Sequence, residues 1–400
     1  MNLLLDPQLS NATELFSEFG ECTWIDPLHI TYQIKSADIL IVRSTTQVNQ
    51  KLLKNSPVKC VGTATSGTDH IDLHYLQRNN IYFAEAKGCN AAAVADYVVL
   101  NVLAARHEQE KTLVDASVSI IGCGSVGRIV VRRLLALGCH VQVCDPPLQA
   151  NLKISLTDYL NIRNKNVRWV SWNEALNTDM LCLHTPLIQQ GDYPTHHLLN
   201  MNSLKKLPDY CIVLNAGRGS VIDMQAWEKI QPQKKLLGIF DVWENEPFIS
   251  ASSLQSVWRA SPHIAGHTKR GKLMGSIMIR DALRVFLKIK TIDQFTNVSF
   301  IKSQFGSSHD FLKLEDEISL DTEKKLFNAL ENIESFKTLD DNFRSFLLPE
   351  KEKTAQISAF KEVRKNYILR EEIRDWAENM SANISENHPY YNFILTILSD

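Results

Sequence analysis

Short apolar runs alternate with amphipathic stretches along the chain as far as Ile289. Residues 2–5 (NLLL), Ala37–Arg43 (ADILIVR), Val58–Thr63 and Ile81–Ala84 predict strands. Ala37–Arg43 is a continuous apolar run, the pattern of a strand covered on both sides, as in a parallel sheet. Between them, Asn11–Phe19 and Leu73–Arg78 predict helices. Asn90–Arg106 predicts a long, largely apolar helix with Asn90 as its N-cap, either a connector between domains or a dimer helix. A second series then begins. Val118–Ile121, His140–Cys144, Met180–His184, Cys211–Asn215 and Leu236–Phe240 predict strands, and Ser125–Leu137 and Lys272–Leu287 predict helices. Strand and helix alternating twice over predict an α/β protein with two parallel-sheet domains, Rossmann-like or flavodoxin-like. Residues 151–168 are polar and irregular. Beyond Ile289 the chain is more charged and has few apolar runs, which predicts a third, small α+β domain. Within it, Tyr367–Trp376 reads as a helix with a solvated, charge-paired face.

The polar residues that interrupt this pattern gather just after the strands, where open α/β sheets hold their ligands. Gly122, Gly124 and Gly127 have the spacing G-x-G-x-x-G, with Ser125 and Val126 inside it, between a predicted strand and a predicted helix. The first glycine permits the turn, the second lets backbone approach a pyrophosphate, and the third lets helix and strand pack closely. Asp145 ends the next strand, about 20 residues on, where a carboxylate accepts from a ribose 2′-hydroxyl and repels a 2′-phosphate. The cofactor expected is therefore NAD. Three further residues follow later strands. Arg218 offers a forked cation suited to a carboxylate, His263 a proton shuttle, and Glu246 a carboxylate to orient the imidazole. With NAD, these are the groups a 2-hydroxy acid dehydrogenase needs. Ser44 and the loop Thr65–Gly67 follow strands of the first series and are small-molecule contacts or simple turn residues.

Composition narrows this picture without redirecting it. Of 400 residues, 44% are hydrophobic and 22% charged, with a net charge of -2, so no global basic field points to nucleic acid or a membrane surface. The start MNLLLD lacks the marks of a secretory signal, and the apolar stretch Tyr97–Ala105 is short and carries Asn101. None of the eight cysteines forms a C-x-x-C pair; Cys123, Cys144, Cys182 and Cys211 lie in or beside strand candidates. A reduced, cytoplasmic protein without a metal site is expected.

GCGSVG, HTPL, NAGRG, DVWENEP and SPHIAGHT resemble the D-isomer-specific 2-hydroxyacid dehydrogenase family. VRSTTQVN, VGTATSGTDHID, GCNAAAVADYV, CDPP and the tail RKNYILREEIRDW narrow the resemblance to a member acting on a small phosphorylated 2-hydroxy acid. The resemblance implies a substrate-binding lid domain of residues 1–92 and 264–288, an NAD-binding Rossmann domain of residues 93–263, and a C-terminal dimerisation domain of residues 289–400 that joins a homodimer. It implies Arg218, Glu246 and His263 as catalytic residues. It implies Asp145, Thr185, Ala216, Gly217, Arg218, Asp241 and Gly266 as NAD contacts beside the glycine turn, and Ser44 and Thr65 as substrate contacts. Two positions depart from the family pattern. His267 stands where an aromatic, often Tyr, usually follows the HIAG motif, and remains a candidate donor to a phosphate. Asn245 replaces a Gly, and Asn tolerates left-handed backbone better than most residues. Arg43 either helps neutralise the phosphate or forms a structural salt bridge. Two alternatives stay open: a dehydrogenase of 3-phosphoglycerate, hydroxypyruvate or glyoxylate, and an NAD-sensing regulatory protein on the same fold.

Overall fold

The structure is a computed structural model. It describes residues 1–163, 166–289, 320–331, 335–348, 352–381 and 390–400. Two compact units emerge, Met1–Ala91 with His267–Gly306, and Ala92–Gly266 with Ser307–Asp400.

The first unit is built on β1 (Asn2–Leu5), β2 (Glu21–Trp24), β3 (Ile39–Val42), β4 (Cys60–Thr63) and β5 (Tyr82–Glu85), in the order β2-β1-β3-β4-β5. All pairs are parallel. This is the flavodoxin-like order of a doubly wound sheet. The helix Lys269–Phe286 covers one face and starts under a Thr268 cap, whose Oγ1 accepts from the Gly271 amide at 2.9 Å. Small residues set its closeness. A Cβ on Gly275 would lie 2.5 Å from the Ala64 carbonyl oxygen, and one on Gly62 would lie 2.9 Å from Ile279 Cγ2. Phe286 stacks on Tyr82, with ring centroids 4.7 Å apart.

The second unit holds β6 (Ser117–Ile121), β7 (His140–Cys144), β8 (Val167–Trp169), β9 (Met180–Leu183), β10 (Ile212–Asn215), β11 (Leu237–Phe240) and β12 (Arg259–Ala260). Their order is β12-β11-β10-β9-β6-β7-β8, again all parallel. Read from β8, it is the Rossmann order extended by one strand. β9 and β10 are buried along their whole length, β9 as an unbroken apolar run and β10 with only its last residue, Asn215, polar. The irregular stretch after Asn151 turns out to hold a short helix, Leu156–Leu160, and the edge strand β8.

The described C-terminal residues form helices: Leu320–Glu331, Phe336–Leu347, Lys353–Asn366, Ile373–Ser381 and Tyr391–Ser399. Phe343, Leu347 and Phe360 share one apolar core with Val213, Phe240 and Trp243. Arg344 donates to the Leu254 and Val257 carbonyls at 2.7 and 3.1 Å, and Asp340 accepts from the Ala260 amide at 3.1 Å. A buried ion network adds to this. Arg133 pairs with both Asp96 and Asp400, and Arg132 also pairs with Asp400. The helix predicted over Tyr367–Trp376 does not form as such. One helix ends at Asn366, another starts at Ile373, and the chain between them is non-helical. The charges there are not a solvated face: Arg370 and Glu372 are buried while Ile368 is 86% exposed. Arg370 spends its guanidinium on distant backbone carbonyls, and that tertiary bonding overrides helix propensity.

Candidate active site

The glycine turn forms at the carboxyl end of β6 as its spacing predicts. Gly122 has φ 87°, in the left-handed region that glycine enters freely, and a Cβ there would meet the His184 carbonyl group at 3.0 Å. A Cβ on Gly127 would fall 2.0 Å from the Gly122 carbonyl oxygen, so the third glycine is fixed by the packing of helix on turn. Gly124 meets nothing within 4 Å and opens onto free space. The helix Ser125–Ala136 begins behind it with no side-chain cap, leaving its first amides to an anion. Asp145 caps the helix Pro146–Asn151 through the Leu148 amide at 3.0 Å, and its other oxygen accepts from the Cys123 amide at 2.8 Å. Thus Asp145 braces the turn it serves. Tyr159 braces it from outside, its hydroxyl donating to the Cys123 carbonyl at 2.9 Å. Polar composition alone concealed this residue.

Thr185 follows β9 beside that turn. Its Oγ1 is buried without a hydrogen-bond partner among the described residues, while its Cγ2 lies 3.1 Å from where a Gly122 Cβ would be. A Cβ on Gly217 would lie 3.2 Å from the Thr185 carbonyl oxygen. Strand ends β6, β9 and β10 therefore meet in a cradle of glycines, uncapped amides and one unsatisfied hydroxyl. That set fits a dinucleotide pyrophosphate.

His184 beside it has both ring nitrogens buried and, among the described residues, unbonded, and burial drives its pKa down from 6.5 to about 4. The unfolded chain protonates first, so the stability His184 confers is complete above about pH 6.5 and is lost as pH falls toward 4. At about 1.4 kcal/mol per unit, the loss is roughly 3 kcal/mol. Urea unfolding of wild type and His184→Asn across that range is expected to show a shallower pH dependence in the variant. Parallel curves would contradict it.

The catalytic candidates lie at the ends of β10, β11 and β12. Asn215, at the end of β10, shapes the loop that carries Arg218. Its Oδ1 accepts from the Gly217 amide and its Nδ2 donates to the Arg218 carbonyl, both at 3.1 Å. Arg218 Nη1 donates to the Gly217 carbonyl at 3.0 Å. After β11, Glu246 Oε1 accepts from the Trp243 amide at 2.7 Å, and Oε2 lies 2.8 Å from His263 Nδ1. The expected imidazole–carboxylate pair is thus formed through Nδ1, with Nε2 the remaining ring nitrogen. Burial would raise the Glu246 carboxyl. The charge and hydrogen bond of His263, the Trp243 amide and the charge of Arg364 outweigh it and hold the group below its ordinary value. His263 itself has φ 59°, unusual for a residue with a side chain. Asp241 holds this turn: Oδ1 accepts from Ser261 Oγ and the Ile264 amide at 2.6 and 2.8 Å, and Oδ2 from the Ala265 amide at 2.9 Å. Both oxygens of this expected NAD contact are therefore engaged within the protein. Ala216 lies in the Arg218 loop, and Gly266 follows the His263 turn.

Two residues outside the predicted set brace these loops. His197 bonds Glu244, and its amide donates to the Ser220 carbonyl at 2.8 Å; Glu244 Oε2 also accepts from the Met224 amide at 3.2 Å. His196, His197 and Glu244 bring ligand-type atoms within 4.8 Å of one another. Yet the two imidazoles stack 3.9 Å apart at 21°, so their nitrogen lone pairs lie in nearly parallel planes and do not converge. Their chemistry is that of a brace.

In the first unit, β3 and β4 pair Val42 with Thr63, which brings the loops bearing Ser44 and Thr65 out from neighbouring strand ends. Ser44 is exposed; Thr65 Oγ1 lies 3.0 Å from Thr63 Oγ1. Of the two roles open to Arg43, the structural one is realised: Nε donates to Asp6 at 3.1 Å and Nη2 to Gln8 Oε1 at 2.6 Å. His267 is half-buried, directly before the Thr268 cap.

Residues 91–265 match the NAD binding domain of the D-isomer specific 2-hydroxyacid dehydrogenases. The chain is 32% identical over 402 residues to an erythronate-4-phosphate dehydrogenase of Psychromonas ingrahamii, covering 97% of this chain and 100% of that one. The chain belongs to that family. It is likewise 38% identical over 304 residues to the enzyme of the same name from Wigglesworthia glossinidia brevipalpis, across 75% of this chain and 77% of that one. Among solved structures, NAD-bound 3-phosphoglycerate dehydrogenase of Entamoeba histolytica shares the fold, with a TM-score of 0.59 at 22% identity over 73% of this chain and 97% of that one. The protein is accordingly an oxidoreductase of the 2-hydroxyacid dehydrogenase family, its cofactor is NAD, and the cradle around Gly122, Thr185 and Gly217 is suited to it. No helix among the described residues is long and apolar enough to cross a membrane.

Proposed function

We propose that the protein oxidises 4-phospho-D-erythronate at C2 to 2-oxo-3-hydroxy-4-phosphobutanoate, a step toward pyridoxal 5′-phosphate. The observation that carries the substrate is the end-to-end similarity to an erythronate-4-phosphate dehydrogenase. NAD, when bound, supplies the hydride acceptor. The glycine turn and the first amides of the helix Ser125–Ala136 hold its pyrophosphate, and Asp145 its ribose. Arg218 clamps the substrate carboxylate and draws electron density from the neighbouring oxygen. His263 Nε2 takes the C2 hydroxyl proton as the C2 hydride departs, and Glu246, ionised and bonded to Nδ1, stabilises the imidazolium that forms. Ser44, Thr65 and His267 contact the substrate, and Arg43, paired with Asp6, holds the end of β3 from which the Ser44 loop leaves. The C-terminal segment joins two copies into a homodimer in the cytoplasm; eight free cysteines agree with a reducing compartment.

The test is a panel of acids followed by NADH absorbance. Turnover of 4-phosphoerythronate with NAD, well above that of 3-phosphoglycerate or hydroxypyruvate and above that with NADP, is the expected result. Preference for 3-phosphoglycerate would overturn the substrate, and tight NAD binding without turnover of any acid would overturn the enzymatic reading.

A further inference from the structure

We propose that Arg364 and Arg370, more than a hundred positions after the turn they touch, are positioning residues that fix the backbone of the His263 turn. The proposal rests on His263 being the acid/base group.

A residue with a side chain at φ 59° persists only where its surroundings over-determine it. The amides of the turn are all accounted for. His263 N donates to the Asp241 carbonyl at 2.7 Å, and Ile264 N and Ala265 N donate to the Asp241 carboxylate. Asp241 alone would hold only this side. The carbonyls face the C-terminal segment. Arg364 Nε donates to the His263 carbonyl at 3.2 Å. Arg370 Nη2 donates to the Ala265 carbonyl at 2.7 Å and to the Ala93 carbonyl at 2.6 Å. Arg370 is 4% exposed, with its guanidinium carbon 5.7 Å from the centre of the Phe336 ring. The Ala265 contact is thus a buried, charge-assisted bond. Through Ala93, the same nitrogen ties the turn to the first residues of the helix Ala91–Glu108. Arg364 has a second effect, since its charge helps keep Glu246 ionised behind the imidazole. The C-terminal segment is therefore part of the catalytic apparatus of its own chain, quite apart from any role in assembly.

The test compares full-length Arg364→Gln, Arg364→Lys and His263→Asn with wild type, using NAD and 4-phosphoerythronate carrying hydrogen or deuterium at C2. A base displaced by a fraction of an ångström slows chemistry without weakening binding. Arg364→Gln is expected to lower kcat by roughly 10²-fold, with KM values nearly unchanged and a larger deuterium isotope effect. Arg364→Lys restores charge and one donor and is expected to lie in between, about tenfold below wild type. A merely structural role would shift the melting temperature and leave the isotope effect of folded enzyme alone. Wild-type kcat and isotope effect in folded Arg364→Gln would overturn the proposal. If that variant does not fold, Arg364→Lys decides, and wild-type kcat there overturns it. An active His263→Asn would instead overturn the reading of His263, whatever the arginine variants do.

Discussion

His263→Asn is expected to lower kcat/KM for the hydroxy acid by roughly 10²–10⁴-fold while the NAD dissociation constant stays near that of wild type. The substitution removes the proton acceptor and little else. Asparagine accepts the left-handed backbone at this position, which alanine would not, so the turn keeps its shape. The Ile264 and Ala265 amides still bond Asp241, and the Arg364 and Arg370 contacts are to main chain and survive. Steady-state kinetics and an NAD titration by fluorescence make the comparison. A variant that turned over at the wild-type rate would place the base elsewhere.

A methyl group on Gly219 is expected to do comparable harm from a position that touches no reacting atom. A Cβ there would lie 2.0 Å from both the carbonyl carbon and the carbonyl oxygen of Trp243, and 2.5 Å from the Glu244 amide nitrogen. All three are backbone, so nothing flexible can give way. Gly219 follows Arg218, and Trp243 begins the turn whose amide fixes Glu246. Gly219→Ala must therefore push Arg218, the proposed carboxylate clamp, away from the Glu246–His263 pair. We expect kcat/KM to fall about 10²-fold or more and stability to fall by roughly 1–3 kcal/mol. Gly124→Ala is the control. Its Cβ meets no protein atom, so it should fold normally and raise KM for NAD. Normal kinetics in Gly219→Ala would mean that the two loops separate without cost.

How far these features could be read from the sequence depends on whether the relevant force is local. β3 and β9 are legible because burial on both faces leaves an unbroken apolar word in the chain, and β10 because only its last residue breaks one. β2 and β8 are edge strands with mostly exposed or half-exposed residues, so no apolar run marks them. The glycine turn and Asp145 are legible because one small segment must satisfy one steric demand. The pairing of His263 with Glu246 followed from their chemistry, although its 2.8 Å geometry did not. The tail motif RKNYILREEIRDW contains Arg364 and Arg370, but what they do was out of reach. The bonds that matter here go to backbone carbonyls, which every residue has, so no spacing points to them. For Arg370, the charged stretch Tyr367–Trp376 even suggested a solvated face. Brace residues such as Tyr159, Asn215 and His197 are hidden for the same reason: main-chain atoms take part in their bonds.

The placement of Arg218, Glu246 and His263 after three successive strands of one sheet, β10, β11 and β12, bears on how such a protein can change over generations. Arg218, Glu246 and His263, with the supports described for them, belong to the unit that also holds the dinucleotide cradle. The loops after β3 and β4 hang from another sheet with its own core. The bonds that join Trp243, Glu246 and His263 are made within a different sheet's loops. A lineage built this way can exchange one acid for another by drift in its loops while its hydride chemistry stays fixed. On the proposed roles, selection on the loops after β3 and β4 and selection on the proton relay then act on separate stretches of the gene.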